Sequence, residues 1–471
     1  MKIVLVLFVV IVCSMTASAQ NTFRKIFSSG HDEQGYSVLQ TNDGGYAVCG
    51  STVVNYIHYC YLIKTDQNGD TTWTKKIPAE VHSYESIFKQ TSDSGFIICV
   101  SPIGIFSDQV LLIKTDLNGD TVWTRVFTNG VGYAIEITPD HGFIITGRNG
   151  LGTFILKTDS LGNEIWRKTY HPYGTISAHS AGTAVCCTND NGYMIAGTYD
   201  YNPTWGDTHF IFIIKLNALG DSLWGGLFNQ YVFQVTSSVH QTADSGYIIG
   251  GSMSLYGYDA TFGYIIKTNE TGDTAWTRSY GSNSESIYTS LQVMESGDYI
   301  ACGKANIGSE DHILLERIGQ EGDLQWSRIF PMGSNSMAWS VRAATDGGSV
   351  LCGRTITSPQ TNYNIVLLKT DINGTLTTIN DQLQKTSFGL NIFPNPCSSF
   401  VQLSYRIEES GPVRIEILNC LGVILKTHIN FDNNVGSHTI LLPVDDLVPG
   451  IYLCRITANG FTETKQLLVQ R

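Results

Sequence analysis

The chain has 471 residues, with 47 Gly, 23 Tyr and 20 Phe, while charged residues make up only 15%. That is the composition of many short strands joined by tight turns, in a chain too long for one small domain. A net charge of -12 with no cluster of Lys or Arg excludes a nucleic-acid partner, because phosphate binding needs a concentrated basic surface.

Residues 1–19 hold Lys2, an apolar run from Ile3 to Val12, and Ala17-Ser18-Ala19 ahead of Gln20. A basic start, a short apolar core and a small-residue site predict a signal peptide cleaved after Ala19. No later stretch approaches the ~18 apolar residues of a membrane helix, so no transmembrane segment is expected after cleavage.

Lys64 to Trp73, Lys-Thr-Asp-Gln-Asn-Gly-Asp-Thr-Thr-Trp, returns as Lys114 to Trp123, Lys157 to Trp166, Lys215 to Trp224, Lys267 to Trp276 and Arg317 to Trp326. A truncated copy begins at Lys369. The period of roughly 50 residues is that of propeller blades. In the first unit, Tyr36 to Gln40, Tyr46 to Ser51, Tyr59 to Lys64 and Thr71 to Ile77 read as strands. Asn42-Asp43-Gly44-Gly45 and Asn68-Gly69 supply the turns, and four strands make a blade.

The first turn recurs at Asp93, Asp140, Asp190, Asp244, Glu295 and Asp346, which gives seven units. After Gly374 the last unit loses its fourth strand, and Thr22 to Phe27 matches fourth strands such as Val122 to Phe127, with Phe23 in the Trp place. The fold expected is all-β: a seven-bladed β-propeller over residues 20–376, closed by the N-terminal strand so that no open edge remains.

The runs Asp66 to Asp70 and Asp116 to Asp120 read as hairpin turns, since they lack the Gly and the later bidentate Glu of a calcium loop. The repeat Trp reads as blade-to-blade packing. Cys49, Cys99, Cys302 and Cys352 fall where other units have Thr146, Ala196 and Gly250, a small buried slot and no disulfide framework. Whether Cys49 and Cys60 bond is left open. No zinc-type spacing occurs, and neither metal nor cofactor is expected.

In such a blade one face carries the near-identical turns. The other carries connections that differ in every unit: Thr52 to His58, Pro102 to Asp108, Tyr199 to Thr208, Met253 to Thr261, Lys304 to Asp311 and Thr355 to Tyr363. Unconstrained loops are where binding is built, and these carry Tyr201, Trp205, Tyr256, Tyr258 and Tyr363. Tyr36, Tyr133, Tyr288 and Trp339 each lie seven residues before the turn acid and are expected where the inner strands enter the central channel. They would stack on sugars or anchor a peptide, or else pack between blades. His31, His82, His171 and His179, near Asp32, Glu80 and Glu85, could supply a metal or acid-base site, but no spacing fixes their geometry. No nucleophile elbow, H-E-x-x-H pair or phosphate loop is present, no catalytic residue is assigned, and the enzyme question stays open.

Residues 377–389 read as a polar linker. Beyond it come Pro394-Asn395-Pro396, the strand Val413 to Ile417, a turn at Gly422, Pro449-Gly450-Ile451-Tyr452 and the terminal strand Lys465 to Val469. Short alternating strands in such a span read as a small Ig-like β-sandwich. These landmarks, over residues 390–471, resemble the type A C-terminal sorting domain of the type IX secretion system. The resemblance implies the type IX machinery as partner, passage through the periplasm and the outer membrane of a Gram-negative bacterium, removal of the domain, and release or lipopolysaccharide attachment. The repeats are similar to uncharacterised propeller regions that often precede such domains. The function expected is an exported cell-surface or released protein whose variable loop face binds an extracellular glycan or protein. A secreted hydrolase on glycan or peptide and a structural surface-layer component are the alternatives.

Overall fold

The computed structural model describes residues 20–55, 57–78, 86–100, 108–150, 152–171, 180–200, 209–229, 233–254, 261–281, 285–308, 310–357, 361–376, 390–407, 411–419, 424–433, 436–458 and 461–470. The chain divides into two compact units between Thr377 and Thr378.

In the first unit each repeat forms four antiparallel strands. Blade one runs outward through Glu33–Gln40, Tyr46–Val54, Ile57–Thr65 and Thr71–Pro78. Its two middle strands are almost continuously buried while the outermost alternates, as expected when only the blade's outer edge meets water. The innermost strands of blades two to seven are Ser86–Gln90, Val131–Ile137, Ser180–Cys187, Phe233–Gln241, Ser286–Val293 and Ser334–Ala343. Each touches the next, and the last touches the first. Phe23–Phe27 pairs antiparallel with Asn364–Thr370 and supplies the missing fourth strand of blade seven.

One staple repeats around the turn side. Asp66 Oδ1 accepts the N–H groups of Asn68 and Asp70 at 2.8 and 2.9 Å, which folds the hairpin and leaves Gly69 at φ 77°. The repeat Trp of one blade packs against the hairpin Gly of the next. A Cβ on Gly119 would sit 2.7 Å from the Trp73 ring, and the same holds for Gly162 under Trp123, Gly220 under Trp166, Gly272 under Trp224 and Gly374 under Trp326. Phe23 covers Gly69 in this way, so it does at the closing seam what Trp does at the others. Lys25–Asp70, Lys75–Asp120 and Lys168–Asp221 bridge the same seams at 2.6, 2.5 and 2.7 Å. The acidic hairpins thus face lysines.

A buried Lys holds each first turn. Lys369 is fully buried, and its Nζ donates to Asp346 Oδ2 at 2.8 Å and to the Thr370 carbonyl at 2.9 Å. Lys64, Lys114, Lys157, Lys215 and Lys267 do the same with Asp43, Asp93, Asp140, Asp190 and Asp244. Burial works to raise the carboxyl pKa of Asp43, Asp93 and Asp190. The hydrogen bonds from Lys, from a Thr hydroxyl and from a Gly N–H outweigh it and hold each at about 2.

Blade six departs from this arrangement. Its turn closes through Met294 N–H to the Asp298 carbonyl where blade one uses Thr41 and Gly45, so Ser296, not Glu295, stands in the place of the turn acid. The acid has moved to Asp298, which pairs with Arg317 at 2.7 Å. The other blades keep Gly there because a Cβ on Gly45 would lie 2.7 Å from Lys64 Nζ.

Two predicted loops are strand. Tyr46–Val54 and Ile57–Thr65 pair as far as Val54 with Ile57, and Tyr299–Ile307 pairs with Glu310–Ile318 to the same depth. Asn55 and Gly308, at φ 51° and 71°, supply the left-handed residue that so tight a hairpin needs. The slot cysteines are buried and free, and Cys49 Sγ stands 3.6 Å from Cys60 Sγ, so the two are thiols in contact.

The second unit is a sandwich. One sheet holds Asn391–Phe393, Phe400–Ile407 and Gly436–Pro443; the other orders Ile424–Asn433, Gly411–Leu418, Gly450–Ala458 and Phe461–Val469. Val401, Leu403 and Tyr405 from the first meet Ile415, Ile417, Ile456 and Leu467 from the second in one core.

Candidate functional site at the central channel

The channel is lined by one strand from each blade, and its character is set by a bulge. In six of the innermost strands the register slips by one, which leaves Tyr36, Tyr133, Thr183, Ser237, Thr289 and Trp339 outside the ladder. A bulge re-aims its extra side chain, and five of the six, Tyr36, Thr183, Ser237, Thr289 and Trp339, line the cavity. Opposite each bulge the second strand has Gly50, Gly147, Gly197, Gly251, Gly303 or Gly353. A Cβ there would strike the bulged strand's carbonyl oxygen at 1.8 to 2.1 Å. Blade two has Val100 at this place, and its recorded ladder from Ser86 to Gln90 shows no slip. These glycines after the cysteine slot were a readable signal for the bulges.

The bulge separates the predicted aromatics. Tyr36 and Trp339 meet across the seam of blades one and seven, with ring centroids 5.8 Å apart. Tyr133 stands apart on blade three, its hydroxyl accepting from Arg148 Nε at 2.8 Å. Tyr288 does not share their position: counting from Glu295 put it one residue out of step, and Thr289 is the bulge residue. Because strand side chains alternate, that single step turns Tyr288 away from the channel. It is buried against Gly263, its hydroxyl bonded to Glu316, and burial together with that carboxylate pushes its pKa well up. Tyr201, Trp205, Tyr256 and Tyr258 lie outside the described residues.

Around Trp339 the structure adds two groups. The Arg354 guanidinium lies 5.8 Å from the Trp339 ring and 4.3 Å from the Tyr363 ring, and donates to Gln34 Oε1 at 2.9 Å. The Tyr363 hydroxyl accepts from Asn335 at 3.0 Å, and its backbone N–H donates to Asp32 at 3.0 Å. Trp339 Nε1 is buried and has no hydrogen-bond partner among the described residues. Arg354 was not foreseen, because it belongs to a second strand and only the seam brings it to Trp339.

Three residues beyond the bulge position the inner strands present Leu39, Lys89, Glu136, Cys186, His240, Gln292 and Arg342. Lys89 Nζ pairs with Glu136 Oε2 at 2.5 Å. Burial, reinforced by the charge of Arg342, pushes the His240 pKa down to about 4, and a ring nitrogen, Nε2, contacts the Leu291 carbonyl at 2.8 Å. The cavity these tiers enclose measures about 140 Å³. That is below the ~300 Å³ at which pockets begin to hold drug-sized ligands, so a macromolecule can meet only its mouth. His31 and His171 are half-buried, His82 and His179 lie outside the described residues, and among the described residues no three His, Cys, Asp or Glu side chains converge.

In the second unit the Pro-Asn-Pro opening works on the last strand. Asn395 accepts the Leu468 N–H and donates to the Gln466 carbonyl, both at 2.8 Å. Pro394 and Pro396 flank it with cis bonds. The Tyr452 hydroxyl donates to the Val448 carbonyl at 2.6 Å and closes the turn that holds Pro449 and Gly450. Val469 is in the core, Lys465 is exposed, and Gly422 lies outside the described residues.

Residues 391–470 match the family model described as a secretion system C-terminal sorting domain. The first unit is a β-propeller, and the second is the sorting domain of a secreted protein, destined for the cell exterior or the outer-membrane surface. No curated protein matches the chain. Among solved structures the chain is similar to an ulvan lyase of polysaccharide lyase family PL25, with TM-score 0.49 and 8% identity over 77% of this chain and 99% of that one. It is also similar to the β-propeller domain of the trilobed protease from Pyrococcus furiosus, with TM-score 0.44 and 11% identity over 75% and 99%. For Sqt1 from Chaetomium thermophilum the values are 0.44 and 10% over 74% and 99%.

Proposed function

We infer that this protein is an exported propeller that binds an extracellular glycan at the channel mouth on its loop face. In this reading residues 1–19 are a signal removed after Ala19, residues 20–376 form the binding propeller, 377–389 a linker, and 390–471 engage the type IX machinery. One observation carries the binding role: the seam of blades one and seven presents the Trp339 and Tyr363 rings around Arg354. A sugar offers what this patch lacks, an apolar ring face to lie on an aromatic and hydroxyl oxygens to accept from a guanidinium. The Tyr36 ring packs against Trp339 from blade one.

The test is an array of glycans and extracellular proteins probed with the mature protein and with a Trp339→Ala/Tyr363→Ala variant that melts at a similar temperature. A glycan hit weakened at least tenfold in the variant is the expected result. A hit that survives the variant, or binding to proteins alone, overturns the glycan reading. Sequencing the N-terminus of the exported protein checks that it begins at Gln20.

A further inference from the structure

We propose that the central channel is a binding site for a small monovalent carboxylate, held by Arg342. Arg342 lines the cavity, and among the described residues its hydrogen bond is from Nη1 to the neighbouring Val341 carbonyl at 2.9 Å. Among the described residues no carboxylate stands within ion-pair distance of it. Glu136 is the acid of this tier, and it is committed elsewhere: Oε2 to Lys89 and Oε1 to the Ile137 N–H at 3.0 Å. His240 is neutral near pH 7, so Lys89, Glu136 and Arg342 leave the enclosed ring with one positive charge in excess. Glu136 acts on Arg342 through space, but the ring keeps its surplus charge, and a surplus charge out of water carries a desolvation penalty that an anion in the cavity relieves.

A second, independent feature points the same way. Thr183 lines the same cavity from blade four, and its Oγ1 is buried and has no partner among the described residues. The wall therefore offers an unmatched hydroxyl donor as well as an unmatched guanidinium fork, and the group that satisfies both kinds is an oxygen anion. Size and charge select within that class. About 140 Å³ admits an ion of formate or acetate size, and a surplus of one charge suits a monoanion better than a phosphate dianion. Trp339 lines this cavity too, but the anion is held by Arg342 and not by the Trp339 and Tyr363 rings.

The experiment uses the full mature protein in chloride at constant ionic strength, into which formate or acetate is exchanged. The melting temperature is expected to rise with carboxylate concentration, as binding to the folded state alone requires. The His240 imidazole signals, followed by NMR, are expected to titrate at higher pH once the anion is bound. The groups facing His240 are Arg342, Lys89 and Glu136, and a bound carboxylate adds one negative charge to that set. Arg342→Gln abolishes the carboxylate-specific rise, and Arg342→Lys, which keeps charge but loses the fork, weakens it at least tenfold. Equal responses to carboxylate and chloride, a rise retained in Arg342→Gln, or a response to inorganic phosphate alone each overturn the proposal. Should Arg342→Gln fail to fold, the His240 titration of the unmutated protein decides: no shift with carboxylate sinks the idea.

Discussion

The two ends of each blade obey different rules. On the turn side every blade repeats one device, an aromatic ring on the next blade's hairpin Gly and a basic residue, a buried Lys in six blades and the half-buried Arg317 in the other, holding its own turn acid. Along the innermost strands one equivalent position holds Leu39, Lys89, Glu136, Cys186, His240, Gln292 and Arg342, no two identical, and of these Lys89, Glu136, His240 and Arg342 line the channel. The difference teaches where the ring is built. Packing a blade onto its neighbour allows few solutions, so residues that do it recur, whereas the channel wall is free to differ once the ring exists. Blade six sharpens the point: when Lys becomes Arg317, the acid and the glycine of its turn change with it.

The largest test of this contrast is to remove the closing staple. Deleting residues 21–27 strips Phe23 from Gly69, breaks Lys25–Asp70 and leaves Asn364–Thr370 without an outer partner. The loss should exceed the ~3–5 kcal/mol of a single large-to-small core substitution. Urea unfolding measures it, and an unchanged midpoint would sink the closure argument.

Acid separates the two sides by pH window. His240 titrates at about 4 when folded and near 6.5 when unfolded, so the unfolded chain binds the extra proton between those values. Stability is full above pH 6.5 and falls as pH drops toward 4, by at most about 3 kcal/mol at ~1.4 kcal/mol per unit. The turn carboxylates, held at about 2 against 3.8 unfolded, give up their contribution only as pH falls from about 4 to 2. Urea midpoints from pH 8 to 2 should show both slopes, and His240→Gln should flatten the upper one alone.

The smallest effect is expected from rewriting blade six. Ser296→Asp, Asp298→Gly and Arg317→Lys together restore the common turn and should change stability by less than ~1 kcal/mol, since one satisfied ion pair replaces another. Arg317→Lys alone leaves Asp298 beside a lysine that the turn was not shaped for. If the single variant proves as stable as the triple, the three residues are not a set.

Much of the fold was legible. The repeat period, the Asn-Gly hairpins and Phe23 in the Trp place each state a local geometry that the chain has no other way to meet. The candidate site was legible only in part. Tyr36 and Trp339 could be placed by counting from the turn acid. Tyr288 could not, because blade six moved its acid and a one-residue error exchanges the two faces of a strand. Arg354 and the ring from Lys89 to Arg342 were invisible, since their neighbours come from other blades tens to hundreds of residues away.

In the sorting domain the motifs could be recognised but not their purpose. Pro394-Asn395-Pro396 and the strand ending at Val469 proved to be one hydrogen-bonded unit through Asn395. By itself, then, the sequence determined the number of blades, the strand that closes them and the sorting domain at the end, because each is written in short-range patterns of turn and strand residues. Which side chains share the channel, which are buried charges and which indole N–H lacks a partner were decided by the tertiary structure. Closure of the ring brings strands distant in sequence to one axis, and only there do their charges and donors meet.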